Sequence, residues 1–208
     1  MSEIKVLDKG FVELVDHMGD DNRIVEAARI SYKAEDVKDA GAFIARLWKA
    51  GHTSPFEQVV FTFRIKAPIF VARQVMRHRT ARVNEVSLRY TDSELEFYIP
   101  PDDRLGDHPE TARGYVETLY MSAASSYKAM IVTRVKREVA RCVLPLAVYT
   151  EFFWQMDLHN LLHFLTLRCA KSAQQETRQY AEAIKTLAGE VCPLAIKAWL
   201  GAVANDSQ

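Results

Sequence analysis

Between Arg77 and Tyr90 the chain reads Arg-His-Arg-Thr-Ala-Arg-Val-Asn-Glu-Val-Ser-Leu-Arg-Tyr. This run sets four arginines, one histidine, one asparagine and one serine against a single acid, Glu85. A guanidinium is a planar fork of donors that matches phosphate oxygens and the edges of nucleobases. Asn84 can both donate and accept, and Ser87 can donate to a phosphate oxygen. From Arg64 to Tyr90 there are seven Arg or Lys residues and one Glu, whereas the whole chain holds 27 basic and 27 acidic residues. Positive charge set apart in this way points to a site for an anion. Ala81, Val83, Val86 and Leu88 are interleaved with the polar residues, which implies a half-buried stretch and not a solvated tail.

Other spacings invite chemistry more weakly. His159 and His163 are four apart, on one helix face, with Arg168 five beyond. Such a pair can hold a metal, but the acid of an H-E-x-x-H motif and a third ligand are missing, so no metal is expected. His52 follows Gly51 at a helix end, where histidine often serves as a cap. Arg137 and Arg141, four apart, suit a solvated helix face. Cys142, Cys169 and Cys192 form no C-x-x-C pair, which argues against zinc and dithiol redox chemistry. Their apolar or helical settings suit small buried hydrophobes; a cysteine nucleophile is the sharper alternative. The arginine stretch also admits a nucleic-acid reading, with Tyr90 and Phe97 to stack bases. Overall neutrality and the interleaved apolar residues weigh against it.

The elements that must carry these residues follow from periodicity. Residues 4–18 read as one or two strands broken at Gly10. A helix follows over residues 24–32, capped near Asp20 to Asn22, and another over residues 40–51. Val59 to Ile65 is a β-rich strand, and Pro68 opens a helix that delivers Gln74 and Arg77 to the arginine stretch. Leu95 to Pro100 reads as a strand and Glu110 to Leu144 as mostly helix, with a break near Ile131 to Thr133. Val148 to Trp154 is an apolar, aromatic strand, residues 157–168 a helix, and residues 177–201 a last helix interrupted at Pro193. Length and composition, 208 residues with 49% hydrophobic and 26% charged, fit one domain over residues 1–208. No apolar run reaches the roughly 18–20 residues of a membrane span. The N-terminus lacks a signal-peptide pattern, so a cytoplasmic location is expected. None of the eight glycines lie close enough for a dinucleotide fingerprint or a P-loop.

The stretch from Arg77 to Tyr90 resembles the signature of the flavin-dependent thymidylate synthases, R-H-R-x-x-S-x-N-E-x-S-x-R-Y. Arg77, His78, Arg79, Asn84, Glu85, Ser87, Arg89 and Tyr90 match, and Arg82 stands where the signature has its first serine. His52-Thr-Ser-Pro-Phe-Glu57 resembles the family's His-x-Thr/Ser-Pro-Phe-Glu loop. Arg137-Glu-Val-Ala-Arg141-Cys-Val-Leu-Pro145 resembles its Arg-Glu-x-Ala-Arg-x-x-Leu-Pro segment. Residues 157–168 resemble the family helix that touches flavin and ends on an arginine facing the uracil, with Asp157 in place of Asn and His159 in place of Arg.

The resemblance covers essentially the whole chain. It implies an α+β fold, a mixed β-sheet flanked by helices, assembling as a homotetramer with shared active sites. The implied reaction is reductive methylation of dUMP to dTMP, with methylenetetrahydrofolate as carbon donor, NADPH as reductant and FAD as hydride carrier. UMP methylation or hydroxymethyl transfer is the alternative within the same chemistry. The implied nucleotide-binding residues are Gln74, Arg77, Glu85, Ser87, Leu88, Arg89, Arg141 and Arg168, the last also catalytic. The implied flavin-binding residues are His52, Ser54, Arg77, His78, Arg79, Asn84, Glu85, Asp157, His159 and His163, with Arg29 and Ser31 near the flavin. No metal, nucleic-acid partner or membrane is implied.

Overall fold

Alternating apolar residues along Val60–Pro68 and Tyr149–Asp157 build the centre of the molecule. The computed structural model describes residues 2–32, 37–87 and 94–206. Among these residues five strands form one sheet in the order β1-β2-β3-β5-β4: β1 (Glu3–Val6), β2 (Gly10–Met18), β3 (Val60–Pro68), β4 (Arg82–Glu85) and β5 (Tyr149–Asp157). Every adjacent pair is antiparallel. The expected mixed sheet is therefore corrected to a purely antiparallel one. Its neighbours are joined either by a short turn, as between β1 and β2, or by excursions that return the chain in the opposite direction.

Side chains alternate across the sheet. Phe61, Phe63 and Ile65 of β3 share one face with Phe152, Trp154 and Met156 of β5, and all six are at most 1% exposed. Helices α1 (Asp21–Tyr32), α2 (Ala40–Lys49), α6 (Leu158–Arg168), α7 (Gln175–Val191) and α8 (Pro193–Asp206) bury Ile24, Ile44, Leu161, Ile184 and Ala195 in the same core. The opposite face carries charge. Arg64 donates to Glu151 at 2.6 Å and to Glu13 at 3.2 Å, Gln155 donates to Thr62 at 3.1 Å, and Lys66 pairs with Glu96.

Local rules explain most ends. Asp39 caps α2 by accepting from the Ala42 amide at 3.0 Å, and Asp157 caps α6 by accepting from the Asn160 amide at 3.0 Å. Pro68 closes β3 and sits at the N-cap of α3 (Ile69–Val75) instead of starting the helix. Leu95 to Pro100 is no strand; Phe97 makes one isolated bridge to Val148. Helix α4 (Pro109–Val132) stops short of Leu144, Arg134 takes a positive φ of 64°, and α5 (Arg137–Ala140) resumes after that turn.

Gly10 marks a close approach. A Cβ there would lie 1.9 Å from the Tyr180 hydroxyl and 2.7 Å from the Lys66 carbonyl oxygen. That hydroxyl donates to the same carbonyl at 2.7 Å, tying α7 to β3. Gly10→Ala is expected to break this tie at a cost of about 1–3 kcal/mol. In a chain of this size that lowers Tm by roughly 2–12 °C in thermal unfolding. A Tm within a degree of the parent would show that the approach is looser than described.

Candidate functional site

The site is assembled where α3 and α6 end together. After α3 the chain leaves in a turn, the Arg77 amide donating to the Gln74 carbonyl at 3.3 Å and the His78 amide to the Val75 carbonyl at 3.2 Å. Arg168, in the last turn of α6, returns to meet it: its Nε donates to His78 Nε2 at 3.2 Å. The ring of His163 stands 6.1 Å from that of His78, and the ring of Phe164 meets it edge-on at 4.9 Å. Phe164 is fully buried and packs on Trp154 at 5.0 Å, so the imidazole rests on the core. Burial first, then the Arg168 and His163 charges, lowers the His78 pKa to about 4.

Two further contacts extend this corner. Gln74 Nε2 donates to Gln174 Oε1, and Gln174 is the N-cap residue of α7. The α6–α7 connection thus grips the end of α3 at both of its own ends. On the sheet, Thr150 Oγ1 donates to Glu85 Oε1 at 2.6 Å.

The middle of the arginine stretch is strand β4. Arg82, Val83, Asn84 and Glu85 lie opposite Gln155, Trp154, Phe153 and Phe152, and the Val86 amide donates to the Glu151 carbonyl at 2.9 Å. Directly opposed residues project on the same face. Val83 and Glu85 therefore share the helix-covered face with Trp154 and Phe152, while Arg82 and Asn84 share the charged face. All four β4 residues are exposed, Val83 at 43%, and Val86 is 39% exposed. The expected half-burial is thus corrected: among the described residues β4 is the terminal strand of the sheet, and its side chains stay exposed.

The other sequence-derived residues are dispersed around this corner. His52 and Ser54 occupy the exposed turn after α2, the His52 amide donating to the Leu47 carbonyl at 3.0 Å. Arg77 and Arg79 flank His78 and are exposed, Ser87 is half-buried, and Arg29 is exposed on α1. Arg141 is exposed in the 3-10 turn Arg141–Val143. Both Asp157 oxygens are engaged by Asn160, through its amide N–H and its Nδ2. His159 packs near Trp48 at 6.3 Å, and its buried Nδ1 has no hydrogen-bond partner among the described residues. Leu88, Arg89 and Tyr90 lie outside the described residues, as does the Ser31 side chain.

Cys192 is buried and Cys169 half-buried, its thiol pushed up to about 12 chiefly by burial. Cys142 is exposed, which corrects the expectation that all three are buried. Among the described residues no group of three or more His, Cys, Asp or Glu is placed to hold a metal, and no helix is long and apolar enough to cross a membrane. Sequence reasoning missed Gln174, Thr150 and Phe164. The hydroxyl of Thr150 inside the apolar run from Val148 to Trp154 was the one local signal.

The class defined here is an α+β fold, one antiparallel sheet flanked by helices, with Arg77, Arg79 and Arg168 gathered around His78 at one corner. Residues 13–194 match the family model described as thymidylate synthase complementing protein, and the chain belongs to that family. A flavin-dependent thymidylate synthase of Thermus thermophilus is 51% identical over 205 residues, covering 92% of this chain and 76% of that protein. One from Thermotoga neapolitana is 46% identical over 203 residues, covering 95% and 94%. Among solved structures, a UMP/dUMP methylase, PolB, from Streptomyces cacaoi bound with 5-Br dUMP superposes with a TM-score of 0.87 at 30% identity, covering 95% of this chain and 97% of that one. The same protein bound with 5-Br UMP gives 0.86 at 29% identity, covering 95% and 96%.

Proposed function

We propose that this protein catalyses the reductive methylation of dUMP to dTMP, with methylenetetrahydrofolate as carbon donor, NADPH as reductant and FAD as hydride carrier. The observation that carries this reading is the Arg168–His78 contact, which joins the family's arginine-rich signature to its terminal helix arginine in one corner. Gln74, Arg77, Glu85, Ser87, Leu88, Arg89 and Arg141 hold the nucleotide, the cations and Ser87 meeting its phosphate. Arg168 stands at the uracil edge. A fixed cation there stabilises negative charge developing on the ring oxygen and nitrogen, which makes the neighbouring carbon reactive.

The residues present fit FAD. Arg77, Arg79 and His52 offer donors to a diphosphate in a chain without a glycine-rich phosphate turn, and the orphaned Nδ1 of His159 awaits a partner. His78, Asn84, Glu85, His163 and the Ser54 turn complete the set, with Asp157 holding the helix end that presents it. FAD, when bound, supplies the hydride-carrying chemistry; the chain's part is to position and polarise. None of the three cysteines is needed for attack on the ring.

The reading includes one domain over residues 1–208, a cytoplasmic location and a homotetramer with shared sites. The exposed apolar residues of α4 support the assembly: Tyr115, Leu119 and Met121 are 75%, 58% and 67% exposed. The exposed terminal strand β4 supports a site completed by a neighbouring copy. The fold neighbour bound to a UMP analogue favours one further reading, methylation of UMP.

The visible absorption spectrum tests the reading. A flavin band is expected that bleaches on adding NADPH, and faster with dUMP present than without. A colourless protein that cannot be reconstituted with FAD would overturn it. Faster bleaching with UMP than with dUMP would move the substrate to the ribonucleotide.

A further inference from the structure

Resting on the proposed function, we infer that His78 is the positioning residue of Arg168. Its neutral imidazole accepts the Nε–H of Arg168 and fixes the guanidinium plane, leaving both terminal amino groups for the pyrimidine. A role of this kind goes beyond lining a flavin.

The chemistry of the pair leaves one arrangement. Arginine has donors and no acceptor. The 3.2 Å contact between Arg168 Nε and His78 Nε2 therefore requires an unprotonated Nε2. The ring is then neutral, with its proton on Nδ1, and the partner alone sets the tautomer. An imidazolium would place an N–H against a guanidinium and lose the bond. The surroundings agree: burial and the charges of Arg168 and His163, both on α6, disfavour protonation of His78. The neighbouring Arg77 and Arg79 on its own segment add charge of the same sign.

The ring is also held still. Phe164 meets it at 4.9 Å and 79°, and His163 at 6.1 Å and 64°, while the turn from Gln74 to His78 closes on α3. Arg168 itself is half-buried and has no carboxylate partner among the described residues. Its long side chain carries several rotatable bonds. A bond at Nε fixes the last of them and aims the fork, which is the usual way a supporting group sharpens a binding residue.

The test has two readouts. In histidine-labelled, FAD-loaded protein without substrates, long-range proton–nitrogen spectra at pH 7 are expected to show His78 neutral with its proton on Nδ1. An imidazolium, or a proton on Nε2, would overturn the proposal. In kinetics at saturating FAD, His78→Ala is expected to lower kcat by on the order of 10- to 100-fold, and His78→Gln, which keeps an acceptor, by less than about tenfold. His78→Ala added to Arg168→Lys is expected to cost little beyond Arg168→Lys alone. Full recovery of kcat in His78→Ala at saturating FAD would reduce His78 to a flavin contact and overturn the proposal. The tautomer is read without turnover, so absence of activity in the parent protein would count against the proposed function and leave the spectrum to decide the pair.

Discussion

Replacing Arg168 with alanine is expected to lower kcat by about two to three orders of magnitude while FAD remains bound. The size follows from the role that the proposed function assigns to it, a fixed donor aimed at charge that develops only during reaction, inside a half-buried corner where water screens it poorly. The guanidinium has no carboxylate partner among the described residues, so its charge is available to a ligand. Lysine is expected to restore only part of the loss, since it keeps the charge but has neither the Nε–H that meets His78 nor the planar fork. Steady-state kinetics with the flavin content measured on the same sample decides. Loss of flavin with the arginine would assign it to cofactor binding instead.

The largest effect on stability is expected for Phe164→Ala, at about 3–5 kcal/mol. Phe164 is fully buried between Trp154 at 5.0 Å and His78 at 4.9 Å. Its removal leaves a cavity under β5 that neighbouring rings cannot refill without leaving their rotamers. Tm should fall by roughly 6–20 °C. Phe164→Leu keeps most of the volume and is expected to cost less than half as much, while still freeing the His78 ring. A variant that holds its Tm but loses turnover would separate the ring's role in aiming His78 from its role in the core. A Tm unchanged in Phe164→Ala would contradict the packing described here.

Periodicity made most of the sheet and its helices legible. The alternation in β3 and β5, the glycine break before β2, the cap at Asp20 and the interruption at Pro193 are local signals, and the corresponding elements form. Strand β4 was not legible. Arg82 to Glu85 is short and polar, and it becomes a strand because the edge of β5 offers a backbone partner 67 to 73 residues away. Leu95 to Pro100 failed in the opposite sense, since paired prolines follow it and no strand lies ready beyond a single bridge. Strand direction was taken from the resemblance and was wrong in part, because local sequence does not encode which way a partner runs. The candidate site divides in the same manner. Its chemistry was readable from the arginine-rich run and from Arg168, but the grip of the α6–α7 connection on α3 was not, because Gln174 sits in no motif and nothing local shows that Arg168 meets His78. Arg82 stands where the family's signature has a serine. Its register opposite Gln155 sends it to the charged face, opposite to the face that carries Glu85.

The partners of the site are far apart in the order of synthesis. His78 and Arg168 are separated by 90 residues, Gln74 and Gln174 by 100, and Arg64 and Glu151 of the central strand pair by 87. A nascent chain that has emerged only as far as α4 holds the complete arginine-rich signature but neither β5 nor α6. At that stage β3 has one strand neighbour, and its apolar face lacks most of its cover. Closing so long a loop before any reward makes assembly slow and late. The candidate corner therefore needs residues made late in synthesis, and a chain terminated before α6 carries the signature without the Arg168 that meets His78.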